Sequence, residues 1–148
     1  AKQDLLSVMK RVDLIIINDG EVRMLAEDDN LIRASRTLIE MVGCQTLIIK
    51  KGEHGVVAFH DGEIISLPSY PTENIVDPTG CGDSFAGTIA AFLASNDGKL
   101  TRNELREALV RATVTASFTL ESFGTSGLLA LDNEMFSSRL NEFEAMLT

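Results

Sequence analysis

Basic residues are scarce in this chain: 13 Lys plus Arg stand against 22 Asp plus Glu, for a formal net charge of −9. No basic stripe is available to track a phosphate backbone, which argues against a nucleic-acid binder. Long apolar runs are missing too, since no stretch reaches the about 18 residues that a membrane-spanning helix needs. The N-terminus lacks the basic-then-apolar order of a signal peptide, and it opens on Ala1 rather than Met. Two cysteines, Cys44 and Cys81, are too few for a disulfide framework, so a reducing, cytoplasmic setting is expected. Repeats, low-complexity tracts and flexible linkers are absent, and residues 1–148 read as a single unit. What remains is ample for a core: 45% of the 148 residues are hydrophobic, and the mean hydropathy of +0.11 argues against disorder.

The order of elements points to an α/β protein. Asp4 to Lys10 reads like the end of a helix already under way, which with the missing Met is what a truncated parent would leave. Asp13-Leu14-Ile15-Ile16-Ile17 is a short unbroken apolar run, the mark of a strand buried on both faces of a parallel sheet. Glu21 to Ala26 fits one or two helical turns. Leu31, Ala34, Leu38, Ile39 and Val42 then recur at helical spacing, with Gly43 as the expected C-terminal stop. Thr46-Leu47-Ile48-Ile49 is a second strand of the buried kind, so strand, helix and strand form a right-handed crossover. Gly55 to Phe59 and Glu63 to Leu67 flank His60-Asp61-Gly62, a hairpin signal. Pro68, Pro71 and Pro78 punctuate a mostly extended stretch. Ser84 to Ala94 reads as a small-residue helix buried nearly all round. Thr101 with Glu104 fits a capping box opening a long helix to about Phe118 or beyond, and Asp132 is placed to cap a last helix to Met146.

The stretch that carries chemistry is Val76-Asp77-Pro78-Thr79-Gly80-Cys81-Gly82-Asp83-Ser84. Two glycines around a small residue, just ahead of a helix, present backbone N–H groups at its positive end, a nest suited to phosphate. A carboxylate at the lip of such a nest repels the ligand, and Asp83 makes best sense there as a general base that takes a proton from an incoming hydroxyl. Phosphoryl transfer asks for that pairing of donors and base. The residues alone leave a second reading open, in which Asp83 caps the helix and the glycines merely turn the chain.

Asp77, Pro78, Thr79, Gly80, Gly82 and Asp83 resemble the second signature of the ribokinase-like (PfkB) carbohydrate kinases, with Cys81 where Ala is usual. Asn18-Asp19-Gly20-Glu21 is similar to the family's Asn-x-x-Glu motif. Lys50-Lys51-Gly52-Glu53-His54-Gly55 resembles its nucleotide-contacting Gly-x-x-Gly turn, with Lys50 where Thr is frequent, so a charged contact replaces a hydroxyl. Ala116-Ser117-Phe118 through Phe123-Gly124 is similar to the segment that closes over adenine.

The resemblance implies a ribokinase-like three-layer α/β/α sandwich, represented by its C-terminal half with a β-hairpin. It implies ATP-dependent phosphorylation of a hydroxyl on a sugar, nucleoside or related polyol. Asp83 would be the base, and Gly80, Cys81 and Gly82 the anion hole. Lys50, Gly52, Gly55, Asn18, Glu21 and Gly124 would line the nucleotide. Asn18 and Glu21 would hold Mg²⁺ through water, and Asp77 with Thr79 would border a K⁺ site. Family members are roughly twice this length, and their sugar-binding signature and β lid have no counterpart here. That leaves an alternative, a truncated and non-catalytic nucleotide-binding fragment that self-associates into a homo-oligomer through an uncovered sheet edge. The expected partner is a small-molecule sugar or nucleoside; neither nucleic acid nor membrane is expected.

The remaining candidates are structural. Cys44 is expected in the core and Cys81 as a small filler. His54 and His60 have no partner at metal-ligand spacing and are expected at the surface. Glu27-Asp28-Asp29 reads as a solvated loop, because the later ligands of a calcium loop are missing.

Overall fold

A computed structural model describes residues 1–76, 78, 80–121 and 131–148. Backbone contacts group the chain into two compact units, Ala1–Pro68 and Ser69–Thr148. The first contains α1 (Lys2–Met9), β1 (Leu14–Asn18), α2 (Asp19–Ala26), α3 (Leu31–Val42), β2 (Thr46–Lys50), a 3₁₀ turn (Gly52–His54), β3 (Val56–His60) and β4 (Glu63–Leu67). The second contains α4 (Cys81–Ser95), α5 (Arg102–Leu120) and α6 (Asn133–Met146).

The four-stranded sheet runs β1-β2-β3-β4. β1 and β2 are parallel, joined by the α2–α3 crossover, while β2–β3 and β3–β4 are antiparallel. The mixed pattern follows from the connections, since a helical crossover returns the chain parallel and the Asp61-Gly62 turn returns it antiparallel. One sheet face supplies Ile15, Ile17, Leu47, Ile49, Val57 and Phe59 to a core completed by Leu6, Met9, Val22, Leu25, Ala34, Leu38 and Val42 from the helices. Each Val, Leu, Ile, Phe or Met side chain among these, fully buried, contributes about 1.5–3 kcal/mol. Asn18 caps α2 by accepting from Glu21 N (2.8 Å), and Asn30 caps α3 by accepting from Arg33 N (2.9 Å).

In the second unit, α5 lies between α4 and α6 in contact with both. Its start is the expected capping box: Glu104 N donates to Thr101 Oγ1 at 3.2 Å, and Thr101 N donates to Glu104 Oε2 at 3.0 Å. Thr101→Ala is expected to lower stability by about 1 kcal/mol, read as an earlier urea midpoint; an unchanged midpoint would show that the cap contributes nothing. Asp132 caps α6 through Met135 N at 2.8 Å.

Three local expectations are corrected. Only Phe85 and Ile89 of α4 are buried, whereas Gly87, Ala90, Ala91 and Ala94 are exposed. Small side chains signal close approach but not what approaches, and α5 covers one side only. β1 is an edge strand whose Leu14 and Ile16 are half-buried rather than enclosed. His60 is buried, because it ends a strand flanked on both sides, and its Nδ1 pairs with Thr46 Oγ1 at 2.8 Å across β2–β3.

Candidate functional site

In the first unit, the candidate residues gather at the carboxyl ends of the two parallel strands, where open α/β sheets bind their ligands. Asn18 ends β1 and Lys50 ends β2, and the two are cross-strand neighbours in register. Asn18 is exposed and Lys50 half-buried. Glu21 lies in the first turn of α2, with the Asn18 amide donating to its carboxylate. One carboxylate and one amide oxygen form a hard-oxygen set that fits a Mg²⁺ ion keeping most of its water, not a protein cage. Among the described residues, no group of three or more His, Cys, Asp or Glu is placed to hold a metal ion.

The turn after β2 is shaped by two glycines. Lys51 N donates to Gly55 O at 2.8 Å and Gly55 N to Gly52 O at 3.2 Å, closing the loop around the 3₁₀ turn. Gly55 has φ 89 and ψ −146, a region essentially reserved for glycine. A Cβ there would stand 2.1 Å from Leu67 O, so the turn lies directly against the backbone that ends β4.

In the second unit, Gly80 is the N-cap of α4, with φ 86, ψ −7 and no side-chain cap. Cys81 N donates to Pro78 O at 3.3 Å and Ser84 N to Gly80 O at 2.9 Å. The Gly82 and Asp83 amides are thus first-turn donors for which a helix has no carbonyl of its own. The carboxylate of Asp83 sits in that first turn, exposed, and does not occupy the cap position. A charge there is favoured by the helix dipole and open to an incoming hydroxyl. The Cys81 thiol donates to Ala116 O at 3.6 Å, so it packs on α5 as a small residue would. Cys44 is buried, and burial pushes its thiol pKa up, which suits an inert core residue. Asp77, Thr79 and Gly124 fall outside the described residues.

Sequence reasoning missed a cluster at the carboxyl end of α5. The side chains of Arg139 and Glu121 are each 19% exposed and paired at 2.9 Å. The guanidinium carbon lies 3.9 Å from the Phe118 ring centroid and 4.7 Å from that of Tyr70. Tyr70 Oη donates to Glu142 Oε2 at 2.9 Å, and burial followed by that bond raises its pKa. No local pattern announces contacts between residues so far apart in sequence.

Comparison with known proteins supplies a context for this geometry. The family model described as pfkB family carbohydrate kinase matches residues 1–130. A cytidine kinase of Thermococcus kodakarensis is 36% identical over 115 residues, 75% of this chain and 40% of that protein. Fructokinase-2 of Oryza sativa is 34% identical over 110 residues, 74% of this chain and 32% of the relative. Among solved structures, aminoimidazole riboside kinase from Salmonella enterica, complexed with aminoimidazole riboside and an ATP analogue, superposes with a TM-score of 0.78 at 21% identity; the match covers 95% of this chain and 47% of that one. Fructokinase from Vibrio cholerae, in its fructose, ADP and calcium bound form, gives 0.83 at 13% identity, covering 94% and 44%. The chain therefore spans less than half the length of the relatives it matches.

Proposed function

The chain belongs to the pfkB family of carbohydrate kinases, and from that premise we propose that it carries the nucleotide-binding and catalytic half of an enzyme that transfers the γ-phosphoryl group of ATP to a hydroxyl of a sugar, nucleoside or related polyol. The observation that carries the proposal is the Gly80 turn at the head of α4 with the exposed Asp83 carboxylate in the first helical turn. Asp83 accepts the proton of the attacking hydroxyl, so the oxygen gains nucleophilicity as it approaches phosphorus. Backbone N–H groups of the Gly80-Cys81-Gly82 turn and of Asp83 receive the charge that grows on the phosphoryl oxygens. Asn18 and Glu21 hold hydrated Mg²⁺, which when bound offsets the phosphate charge. Lys50, Gly52 and Gly55 are proposed to border the nucleotide, and the same role is proposed for Gly124, which lies outside the described residues. Asp77 and Thr79 are proposed to border K⁺. A cytoplasmic setting belongs to the same reading; no helix among the described residues is long and apolar enough to cross a membrane.

A second reading starts from the β1 edge, where Leu14 and Ile16 are half-buried in a strand that, among the described residues, is paired on one side only. In it the 148-residue chain binds nucleotide without turnover and self-associates through that edge. Thermal unfolding with and without Mg-ATP tests what both readings share. At a hundred times its Kd the ligand is expected to stabilise the protein by about 2.7 kcal/mol; no shift would contradict both and favour a plain interaction module. Sedimentation then separates them, because a clean monomer at high concentration removes the second.

A further inference from the structure

The Gly80 turn has no capping side chain of its own; what backs it is the carboxyl end of α5. Val76 N donates to Leu120 O at 3.0 Å, the Cys81 thiol donates to Ala116 O at 3.6 Å, and a Cβ on Gly80 would lie 3.7 Å from Thr119 Cγ2. The same end of α5 is gripped by Arg139 of α6. Its guanidinium donates to Glu121 Oε1 at 2.9 Å and to Ser117 Oγ at 3.1 Å, and stacks on Phe118. The other Glu121 oxygen accepts from Thr72 Oγ1 at 2.7 Å, and Thr72 Oγ1 in turn accepts from Asn74 N at 3.1 Å. The segment from Thr72 to Val76, which precedes the turn in sequence, is therefore tied to Glu121, and Glu121 is held by Arg139.

We infer that Arg139 is a positioning residue for the phosphate-binding turn, a role that rests on the reading of that turn given above. It touches no substrate. It fixes the height and angle of the helix end against which Gly80 and Cys81 lie, and the anchor of the chain that delivers them. A planar guanidinium meets the carboxylate, the hydroxyl and the two rings at once, whereas an ammonium is a point charge without a stacking face. Breaking a largely buried pair from one side also leaves the other charge uncompensated. Both effects reach the turn through backbone, so the Gly82 and Asp83 amides lose their fixed aim.

The test compares the 148-residue chain with Arg139→Lys and Glu121→Gln, both chosen to keep the fold; Arg139→Met serves as the severe variant if it folds. Amide hydrogen exchange at Cys81 and Ser84, whose N–H groups are bonded to Pro78 O and Gly80 O, is expected to quicken by about tenfold in each variant, with the protection of Leu47 to Ile49 unchanged. The affinity for Mg-ATP is expected to fall by about tenfold while that for adenosine stays within about twofold, because misplacement of the turn penalises phosphate contacts alone. Unchanged exchange at those amides in folded Arg139→Lys would overturn the inference. So would equal losses for ATP and adenosine, the result of a merely structural role. If the unsubstituted chain bound Mg-ATP no more tightly than adenosine, the phosphate reading of the turn would fail, whereas the exchange data would still decide whether Arg139 sets the turn.

Discussion

Replacing Asp83 by Asn is expected to slow phosphoryl transfer by about 10³-fold while Mg-ATP binds as well as before or better. The asymmetry comes from where the carboxylate sits. Asp83 is exposed in the first turn of α4, among the backbone donors proposed to face the phosphoryl group. Its negative charge opposes an anionic ligand in the ground state and helps only when a hydroxyl proton must leave. Asn keeps the size and the local helix geometry but cannot accept that proton. The measurement is kcat together with the KM for ATP over a panel of sugars and nucleosides. A variant retaining more than about a tenth of kcat would remove Asp83 from the role of base, and a large rise in the KM for ATP would make it a binding residue instead.

Gly55→Ala is expected to cost about 3–5 kcal/mol, among the larger effects open to a single substitution. Two penalties coincide. The backbone at φ 89, ψ −146 excludes a side chain, and the added methyl would stand 2.1 Å from Leu67 O and 2.8 Å from Pro68 Cα. These are backbone atoms of the strand end, so relief requires parting the turn from β4. Gly52→Ala is the control. Gly52 also has positive φ (59), but nothing lies within 4 Å of its Cβ position, so only the conformational penalty of about 1–2 kcal/mol remains. Denaturant midpoints of the two variants should differ accordingly; equal midpoints would mean that the close approach at Leu67 is not present in solution. Because this turn is proposed to border the nucleotide, Gly55→Ala should weaken Mg-ATP binding as well.

What could be read from the sequence was what local chemistry determines. The Asp61-Gly62 hairpin, the Thr101–Glu104 capping box and the Gly43 stop each depend on residues within a few positions, and the structure has all of them. The glycine-rich stretch is legible in the same way, as a short run of residue types, but the helix starts earlier than its glycines suggest: only Gly80 precedes α4, and Cys81 and Gly82 are its first two residues. Burial is different, because it depends on what arrives from elsewhere in the chain. The apolar, alanine-rich α4 and the unbroken aliphatic β1 both looked enclosed, yet each has a side that the described residues leave open. His60 is the reverse case, a polar residue beside a turn that is buried through its neighbours on β2 and β4. The Arg139 cluster joins α5, α6 and the segment after β4; nothing near any one of these residues names the others.

The central claim is that the Gly80–Asp83 turn binds the phosphates of a nucleotide. It is tested most directly by following the backbone amide resonances of the ¹⁵N-labelled chain during titration with Mg-ATP. The account predicts saturable shifts at Gly80, Cys81, Gly82 and Asp83, accompanied by Gly52 and Gly55 and much reduced when adenosine replaces ATP. Shifts confined to other parts of the chain, or a turn that responds equally to adenosine, would contradict it.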